Sequence, residues 1–136
     1  MERRIDLCRT IASAMVRHRL HVPAVLRWIA AEAHVSVAEA EARQPPVTYQ
    51  DAREWLPRLS DGALQRLAAV AAEVEHLDAR RQKLEAELLG ARRELAGATP
   101  TTKAASARTR AVEDLARLRG DDLSARARWA SIWGAV

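Results

Sequence analysis

The sequence contains no phenylalanine, one tyrosine and four tryptophans, so aromatic residues make up only 4% of its 136 positions. Alanine, in contrast, occupies 29 positions. Aromatic and β-branched side chains favour strands, whereas alanine and leucine favour helices, so the composition excludes a mainly β fold. We therefore predict an all-α protein of about one domain with a thin core.

Cysteine is nearly absent as well, because Cys8 is the only one, which excludes an intrachain disulfide and a multi-cysteine zinc site. His18 and His21 are three residues apart, but no third ligand is placed beside them, so we predict no metal and no cofactor. The sequence also lacks a glycine-rich phosphate loop and a nucleophile elbow. These absences predict a protein that is not an enzyme.

Long apolar runs are missing too. No segment approaches the roughly 20 apolar residues that a membrane-spanning helix needs. Arg3, Arg4 and Arg9 interrupt the start of the chain, so no secretory signal is predicted. The expectation is a cytoplasmic protein without a membrane span.

Lysine is scarce, with only Lys83 and Lys103 among 22 basic residues, and the formal net charge is +4. The excess is +4 over residues 1–31 and +3 over 100–136, while 45–99 carries −1. Arginines at the two ends are candidates for contacts with a nucleic-acid backbone, and the alternative is a solvated surface. The candidates are Arg3, Arg4, Arg9, Arg17, Arg19, Arg108 and Arg110.

Residues 1–59 are predicted to form a cluster of short helices. Helical spacing of apolar residues predicts the first over 3–20 and a second after Pro23 that ends near His34. Ser36 and Glu39 have the spacing of a capping box, so a third helix is expected over 37–43. Another helix begins near Thr48, and Pro57 bends or ends it.

The strongest pattern predicts one long helix from Ser60 to Leu95, because no proline interrupts it. Apolar residues alternate there in steps of three and four over four heptads, which is typical of a coiled-coil seam. The seam comprises Leu67, Val70, Val74, Leu77, Arg81, Leu84, Leu88 and Leu95. Arg81 occupies a core position, where a buried charge is costly unless it is paired or its stem reaches outward.

A turn at 97–101 is followed by a second apolar stripe, which predicts a return helix ending at Gly120 and hence a long antiparallel helical hairpin over 60–120. This return helix would cover the long helix from about Arg81 to Leu95. An interchain coiled coil is the alternative to packing within one chain. Residues 121–136 are predicted to form a short C-terminal helix, and the three segments together to make one structural domain.

That last helix places two tryptophans on one stripe. We predict a partner-binding tail, because Trp and Arg are favoured at interfaces. Two alternatives remain: the stripe belongs to the core, or it binds a membrane interface. The tail residues are Trp129, Ile132, Trp133, Arg126 and Arg128.

The segment 29–43 partly fits a DNA-binding helix-turn-helix, although His34 stands where the turn usually has glycine and Arg43 where an apolar residue belongs. Glu39 and Glu41 would face the DNA polyanion. The sequence therefore predicts a non-catalytic helical interaction or assembly subunit that binds a protein partner or further copies of itself. The alternative is a helix-turn-helix-type DNA-binding regulator that dimerises through the hairpin, and no small-molecule substrate is evident.

Overall fold

The computed structural model describes residues 2–20, 31, 34–36, 38, 39, 49–97 and 101–134. Four helices occupy them: α1 (Glu2–His18), α2 (Tyr49–Trp55), α3 (Asp61–Leu95) and α4 (Thr102–Gly134). A short 3-10 helix, Leu56–Arg58, follows α2. The described residues include no strand, and the predicted all-α class is confirmed.

The chain divides into two compact units. The first, which we call the base, comprises Met1–Val74 and Ala125–Val136, and the second, which we call the arm, comprises Glu75–Ser124. Both α3 and α4 contribute one part of their length to each unit. The core of the base contains side chains less than 2% exposed, among them Ile11, Met15, Leu56, Leu64 and Trp129.

Hydroxyl side chains mark where the two long helices begin. The Ser60 Oγ accepts a hydrogen bond from the backbone N–H of Ala63 at 3.2 Å, and the Thr101 Oγ1 accepts one from Ala104 at 3.0 Å. Each hydroxyl thereby satisfies one of the backbone donors left without a partner in the first turn of a helix. The predicted long helix from Ser60 to Leu95 is confirmed, with Ser60 as its N-cap.

Helix α1 ends in a left-handed turn. Arg19 has φ of 50°, and the next N–H, that of Leu20, donates to the carbonyl of Met15 at 3.1 Å. This is the arrangement in which a residue with positive φ lets the chain fold back onto the last helical turn. Leu20 is consequently buried in the base at 1% exposure.

The arm is an antiparallel hairpin, as predicted, and its seam packs within one chain. The buried positions recur every seven residues on both helices: Leu77, Leu84 and Ala91 on α3, and Ala104, Ala111 and Leu118 on α4. Leu88 and Leu95 of the predicted seam are only half-buried. In the base, Leu67, Val70 and Val74 are buried as well.

The expected end of the return helix at Gly120 does not occur. Helix α4 continues through Gly120, Asp121 and Asp122 to Gly134, so the tryptophan-bearing segment is helical but is not a separate helix. A glycine inside a helix costs only about 1 kcal/mol relative to alanine. Burial of Trp129 and Trp133 in the base is large enough to offset that cost. Helix α4 also contacts α3 outside the stretch from Arg81 to Leu95, because Leu118 lines one groove with Leu77 and Arg128 pairs with Glu73.

The predicted helix after Pro23 lies largely outside the described residues, and so does most of the helix expected over 37–43. Within the described part, Ala38 and Glu39 are helical. The Glu39 N–H donates to the Ser36 Oγ at 3.1 Å, which is one half of the expected capping box. The helix expected near Thr48 begins at Tyr49 in the described residues, and Pro57 lies in the 3-10 helix that follows it.

Candidate interaction surface

The two sides of the arm differ in polarity. At about 100° per residue, the residues that flank the seam of each helix fall on one side of the hairpin or the other. One side, the polar side, is a groove whose charged lining comes from both helices. Its lining residues are His76, Arg80, Glu87, Glu94, Arg110, Asp114, Arg117 and Asp121. Within this groove, and along α4 alone, Arg117 Nη2 pairs with Asp114 Oδ1 at 3.2 Å.

The opposite side of the arm, the apolar side, carries every leucine and valine of the arm that is not in the buried seam. Val112 is 48% exposed, Leu89 51% and Leu123 64%. These side chains join three half-buried leucines on the same side: Leu88, Leu95 and Leu115. No leucine or valine of the arm's described residues flanks the seam on the polar side. The arm therefore has two apolar faces: the seam buried between its helices, and the apolar side on its outer surface.

Arg81 lies on this apolar side with its charge compensated. It is exposed, and its Nη2 donates to Asp78 Oδ1 at 2.5 Å while its Nη1 donates to Glu85 Oε1 at 3.1 Å. These hydrogen bonds raise the pKa of the guanidinium above its ordinary value. The predicted cost of a buried charge at Arg81 is thus avoided, because the side chain is both paired and exposed. Arg92 is also exposed on this edge of α3, so two arginines balance the two carboxylates there.

Two arginines form the opposite edge of the apolar side. Arg108 and Arg119 are exposed on α4, and neither has a hydrogen bond or ion pair with any described residue. They are eleven residues apart, which is close to three full turns, so both project along the same stripe about 16 Å apart. The α4 edge of the apolar side consequently has two exposed positive charges, whereas the α3 edge has charges of both signs.

The tryptophans of the predicted partner-binding tail lie in the core of the base. Trp129 is 1% exposed and Trp133 4%, and their ring centroids are 6.2 Å apart. Ile132 is half-buried. The Trp133 Nε1 is buried without a hydrogen-bond partner in the described part of the chain. Burial supports the alternative of a core stripe, because almost no indole surface remains for a partner.

The two tail arginines are tied to the base. Arg128 Nη2 lies 2.6 Å from Glu73 Oε1, and Arg126 Nη1 donates to the carbonyl of Arg19 at 3.4 Å. The hydrogen bond from Arg128 lowers the pKa of Glu73, and partial burial opposes the shift. The side chains that were expected to reach a partner instead connect the end of α4 to α3 and to the end of α1.

The arginines predicted to contact nucleic acid fall into two groups. Arg4 is engaged in the base: its guanidinium pairs with Asp61 and its Nη2 donates to the carbonyls of Pro57 at 2.8 Å and Leu59 at 2.6 Å. It holds α1 against the start of α3. The other candidates are exposed: Arg3, Arg9, Arg17 and Arg19 in the base, and Arg108 and Arg110 in the arm.

Cys8 lines a small apolar hollow of the base together with Ile5 and Pro57, and Arg4, Arg9 and Arg53 surround it. Burial raises the pKa of the Cys8 thiol, and the charge of Arg4 opposes that shift. A thiol with a raised pKa is a poor nucleophile at neutral pH. The hollow therefore contains no activated group.

A recurrence in α4 explains its arginine stripes and was not noticed in the sequence. The pattern Arg-x-Arg occurs three times at intervals of nine residues, at 108 and 110, at 117 and 119, and at 126 and 128. Nine residues correspond to two and a half helical turns, so successive pairs exchange sides. A search for self-similarity at a period of nine would have found it.

Within the described residues, no three His, Cys, Asp or Glu side chains lie close enough together to hold a metal ion. No helix in the described part of the chain is both long and apolar enough to span a bilayer. Comparison of the chain with protein-family models, curated proteins and solved structures finds no match.

Proposed function

We propose that this chain is a non-catalytic helical interaction subunit that presents its arm to a protein partner or to further copies of itself. The observation that supports the proposal is the one-sided distribution of the arm's remaining leucines and valines. Six such residues occupy the apolar side, and three of them, Leu89, Val112 and Leu123, are about half exposed or more.

A hairpin that acted only as a spacer would need no second apolar stripe. Two helices bury a single seam between them, and every apolar side chain outside that seam stays in contact with water. Complete burial of such a side chain is worth about 1.5–3 kcal/mol relative to full exposure, and a partner could supply the part that these partly exposed positions lack. A contiguous apolar strip with charged edges is the usual form of a helix-recognition surface.

Exposed arginines add a second component to the proposed function. In the base Arg3, Arg9 and Arg19 reach solvent, as Arg108 and Arg110 do in the arm. Where the assembly carries nucleic acid, these side chains would contact its phosphates, and each such contact would make binding salt-sensitive. This contribution is subsidiary, because the arm itself carries ten basic against nine acidic residues.

Site-specific photo-crosslinking in the native host tests the proposal. A photoreactive amino acid is placed singly at Leu89, Val112 or Leu123 on the apolar side, and at Lys83, Ser106 or Ala107 elsewhere on the arm surface. We expect discrete crosslinked products from the first set and none from the second. Equal crosslinking from both sets, or none from either in a chain with native helicity, contradicts the proposal.

A second candidate function is supported by one observation in the segment that resembles a helix-turn-helix. His34, which replaces the usual glycine of such a turn, has φ of 55°, the left-handed conformation that glycine would adopt there. Its N–H donates to the carbonyl of Ala31 at 3.4 Å, and Ser36 caps the residues that follow. We infer that the positive φ of His34 and the cap at Ser36 support DNA recognition as the alternative.

Selection from a pool of randomised DNA duplexes separates the two candidates. A regulator enriches one sequence and loses the preference when Ser36→Ala removes the cap of its second helix. Weak binding to all duplexes with a steep salt dependence, or no binding, contradicts this second candidate and leaves the interaction subunit.

A further inference from the structure

The hydrogen-bonding groups on the apolar side of the arm are unevenly satisfied, which indicates the chemistry of the partner that this side binds. We propose that it binds an acidic amphipathic helix of another protein, which lies over the seam between α3 and α4 and completes a three-helix bundle. The inference rests on the proposed function and specifies the partner of the same surface. It is supported by the pairing of the charged groups, by their positions and by the apolar residues among them.

The carboxylates on this side already have partners. Asp78 Oδ1 and both oxygens of Glu85 accept hydrogen bonds from the Arg81 guanidinium, and Asp78 Oδ2 accepts one from Gln82. Asp122, the third carboxylate on this side, is half-buried and also has an interaction within the chain. The acidic groups of the apolar side are therefore engaged within the chain.

Three guanidiniums on the same side have no such partner. Arg92 on α3 and Arg108 and Arg119 on α4 are exposed, and none of them has a hydrogen bond or ion pair with any described residue. Each guanidinium offers five N–H donors in a planar fork, which fits a carboxylate through two parallel hydrogen bonds. The groups that complement this surface are therefore carboxylates of a partner.

The three arginines lie within the length of one short helix. Leu77 and Leu118 line the same groove, so counting from this pair places Arg108 level with residue 87 of α3. Arg92 is then five residues, or about 8 Å, nearer the turn, and Arg119 is eleven residues, or about 16 Å, in the other direction. The three guanidiniums together extend over about 24 Å, which a helix of about 16 residues spans.

The three side chains also point toward the position that a third helix would occupy. At about 100° per residue, they project about 60–80° from the buried seam positions Leu84 and Ala111, toward the apolar side. In a bundle of three equally spaced helices, the direction to the third helix is about 60° from the direction to the second. Arg92 would therefore flank the third helix from α3, and Arg108 and Arg119 would flank it from α4.

The apolar residues between the arginines favour a protein helix over other anionic partners. Leu88 and Leu115 project about 40° from the seam, between the seam and the arginines, so they would contact the apolar stripe of an amphipathic helix. A nucleic-acid backbone would leave these leucines and the exposed Val112 in contact with water. Helices that bind a membrane interface carry tryptophan or phenylalanine on their apolar face, whereas residues 75–124 contain no Trp, Phe or Tyr.

The test uses the full-length chain and a synthetic acidic peptide as the probe. The peptide has about 21 residues, which as a helix match the roughly 30 Å of the arm. It carries a fluorescent label, leucine at the a and d positions of its heptads, glutamate at e and g, and alanine or glutamine elsewhere. Glutamates on both flanks prevent it from pairing with itself. We expect saturable binding in the micromolar range by fluorescence anisotropy, and a gain in helicity on mixing by circular dichroism.

Reversal of the three charges identifies the surface. The triple variant Arg92→Glu, Arg108→Glu and Arg119→Glu is expected to bind the acidic peptide about tenfold more weakly than the wild type does. It should instead bind a matched peptide that has lysine at e and g, because attraction is then restored with the opposite signs. Failure of this exchange, in a variant with native helicity, overturns the inference.

The matched control is Arg80→Glu, Arg93→Glu and Arg110→Glu, which makes the same change in net charge away from the apolar side. It is expected to bind the acidic peptide within about twofold of the wild type. Val112→Ser tests the apolar contribution and should weaken binding about threefold. A control that loses binding like the triple variant, or a Val112→Ser variant that loses none, would show general charge attraction and overturn the inference.

Other occupants of the side give different results. Single-stranded DNA of about 20 nucleotides and vesicles of anionic phospholipid enter the same assay, and binding of either through the three arginines, without binding of the acidic peptide, overturns the inference. A wild-type dimer that dissociates in the triple variant, measured by light scattering, would show that a second copy occupies the side. If no acidic peptide binds but Val112 still crosslinks to another protein in the host, the inference fails and the proposed function stands.

Discussion

In the base, side chains as large as Trp129, Ile11 and Met15 are less than 2% exposed, whereas the leucines of the arm's seam keep 6–8% of their surface in contact with solvent. The same two long helices, α3 and α4, have buried positions at similar spacing in both units, yet burial is more complete in the base than in the arm. In the base, α1 and α2 accompany α3 and α4; the arm contains only the two long helices. The number of neighbouring elements, rather than the heptad pattern, determines how completely a leucine is buried.

Truncating one leucine in each unit tests whether the base is packed more tightly than the arm, and these variants have the largest expected effect. Leu64 in the base is 0% exposed and Leu84 in the arm 7%. Leu64→Ala is expected to lower the free energy of unfolding by about 3–4 kcal/mol, and Leu84→Ala by about 2 kcal/mol, because an open seam can collapse around the missing atoms. Urea denaturation followed by circular dichroism measures both, and an equal cost would show that the arm is packed as tightly as the base.

Removal of the two N-caps compares the base and the arm through the next largest expected effect on stability. Ser60 begins α3 in the base and Thr101 begins the α4 segment of the arm. Alanine at either position should cost about 1 kcal/mol in free energy of unfolding, because one first-turn N–H loses its acceptor. Hydrogen exchange should show that Thr101→Ala accelerates exchange at the start of α4 without affecting α1. Faster exchange in α1 would indicate that the two units unfold together.

Replacement of a helical glycine in the arm is expected to stabilise the protein. A Cβ at Gly120 would meet nothing within 4 Å, so Gly120→Ala should raise the free energy of unfolding by about 0.5–1 kcal/mol. Gly97 is the control, because a Cβ there would lie 3.2 Å from the carbonyl oxygen of Glu94. Thermal denaturation should show a higher Tm for Gly120→Ala and no increase in Tm for Gly97→Ala. A destabilised Gly120→Ala would mean that α4 is bent or broken at this residue.

The smallest effect concerns the ion pair of the base. Arg128 lowers the pKa of Glu73 in the folded chain, so the pair contributes stability that is complete above the carboxyl's ordinary pKa of about 4.3 and is lost as the pH falls through the lowered value. Glu73→Gln should lower the Tm slightly at pH 7 and have no effect once the carboxylate of the wild type is protonated. Both groups are substantially solvent-exposed, so the difference should also shrink in high salt.

The sequence predicted the elements whose signals are local. The absence of proline between Ser60 and Leu95 was sufficient to place α3, and Pro57 marked the end of α2. The continuity of α4 was missed because Gly120 followed by two aspartates resembles a helix end. The seven-residue recurrence from Ala104 through Leu118 to Ala125 runs across that glycine, and in the structure it outweighs the local signal.

The candidate surface was harder to predict than the fold. Composition drew attention to Trp129 and Trp133, which the base buries, because sequence patterning alone does not show which stripe another element will cover. The apolar side of the arm emerged only after the antiparallel pairing had fixed which flanks of α3 and α4 share a side. Val112 and Leu88 are far apart in sequence, and no periodicity within one helix relates them.

The seven-residue recurrence of the arm also makes its length an adjustable quantity. Leu77, Leu84 and Ala91 occupy equivalent steps of α3, and Leu118, Ala111 and Ala104 are their counterparts on α4. Deleting one heptad from each helix removes one step and joins the remaining steps in register, which shortens the hairpin by about 10 Å. The base would be unaffected, because none of its residues lies between these positions. The length of the arm can therefore change, in evolution or by design, in steps of about 10 Å while the residues of the base stay the same.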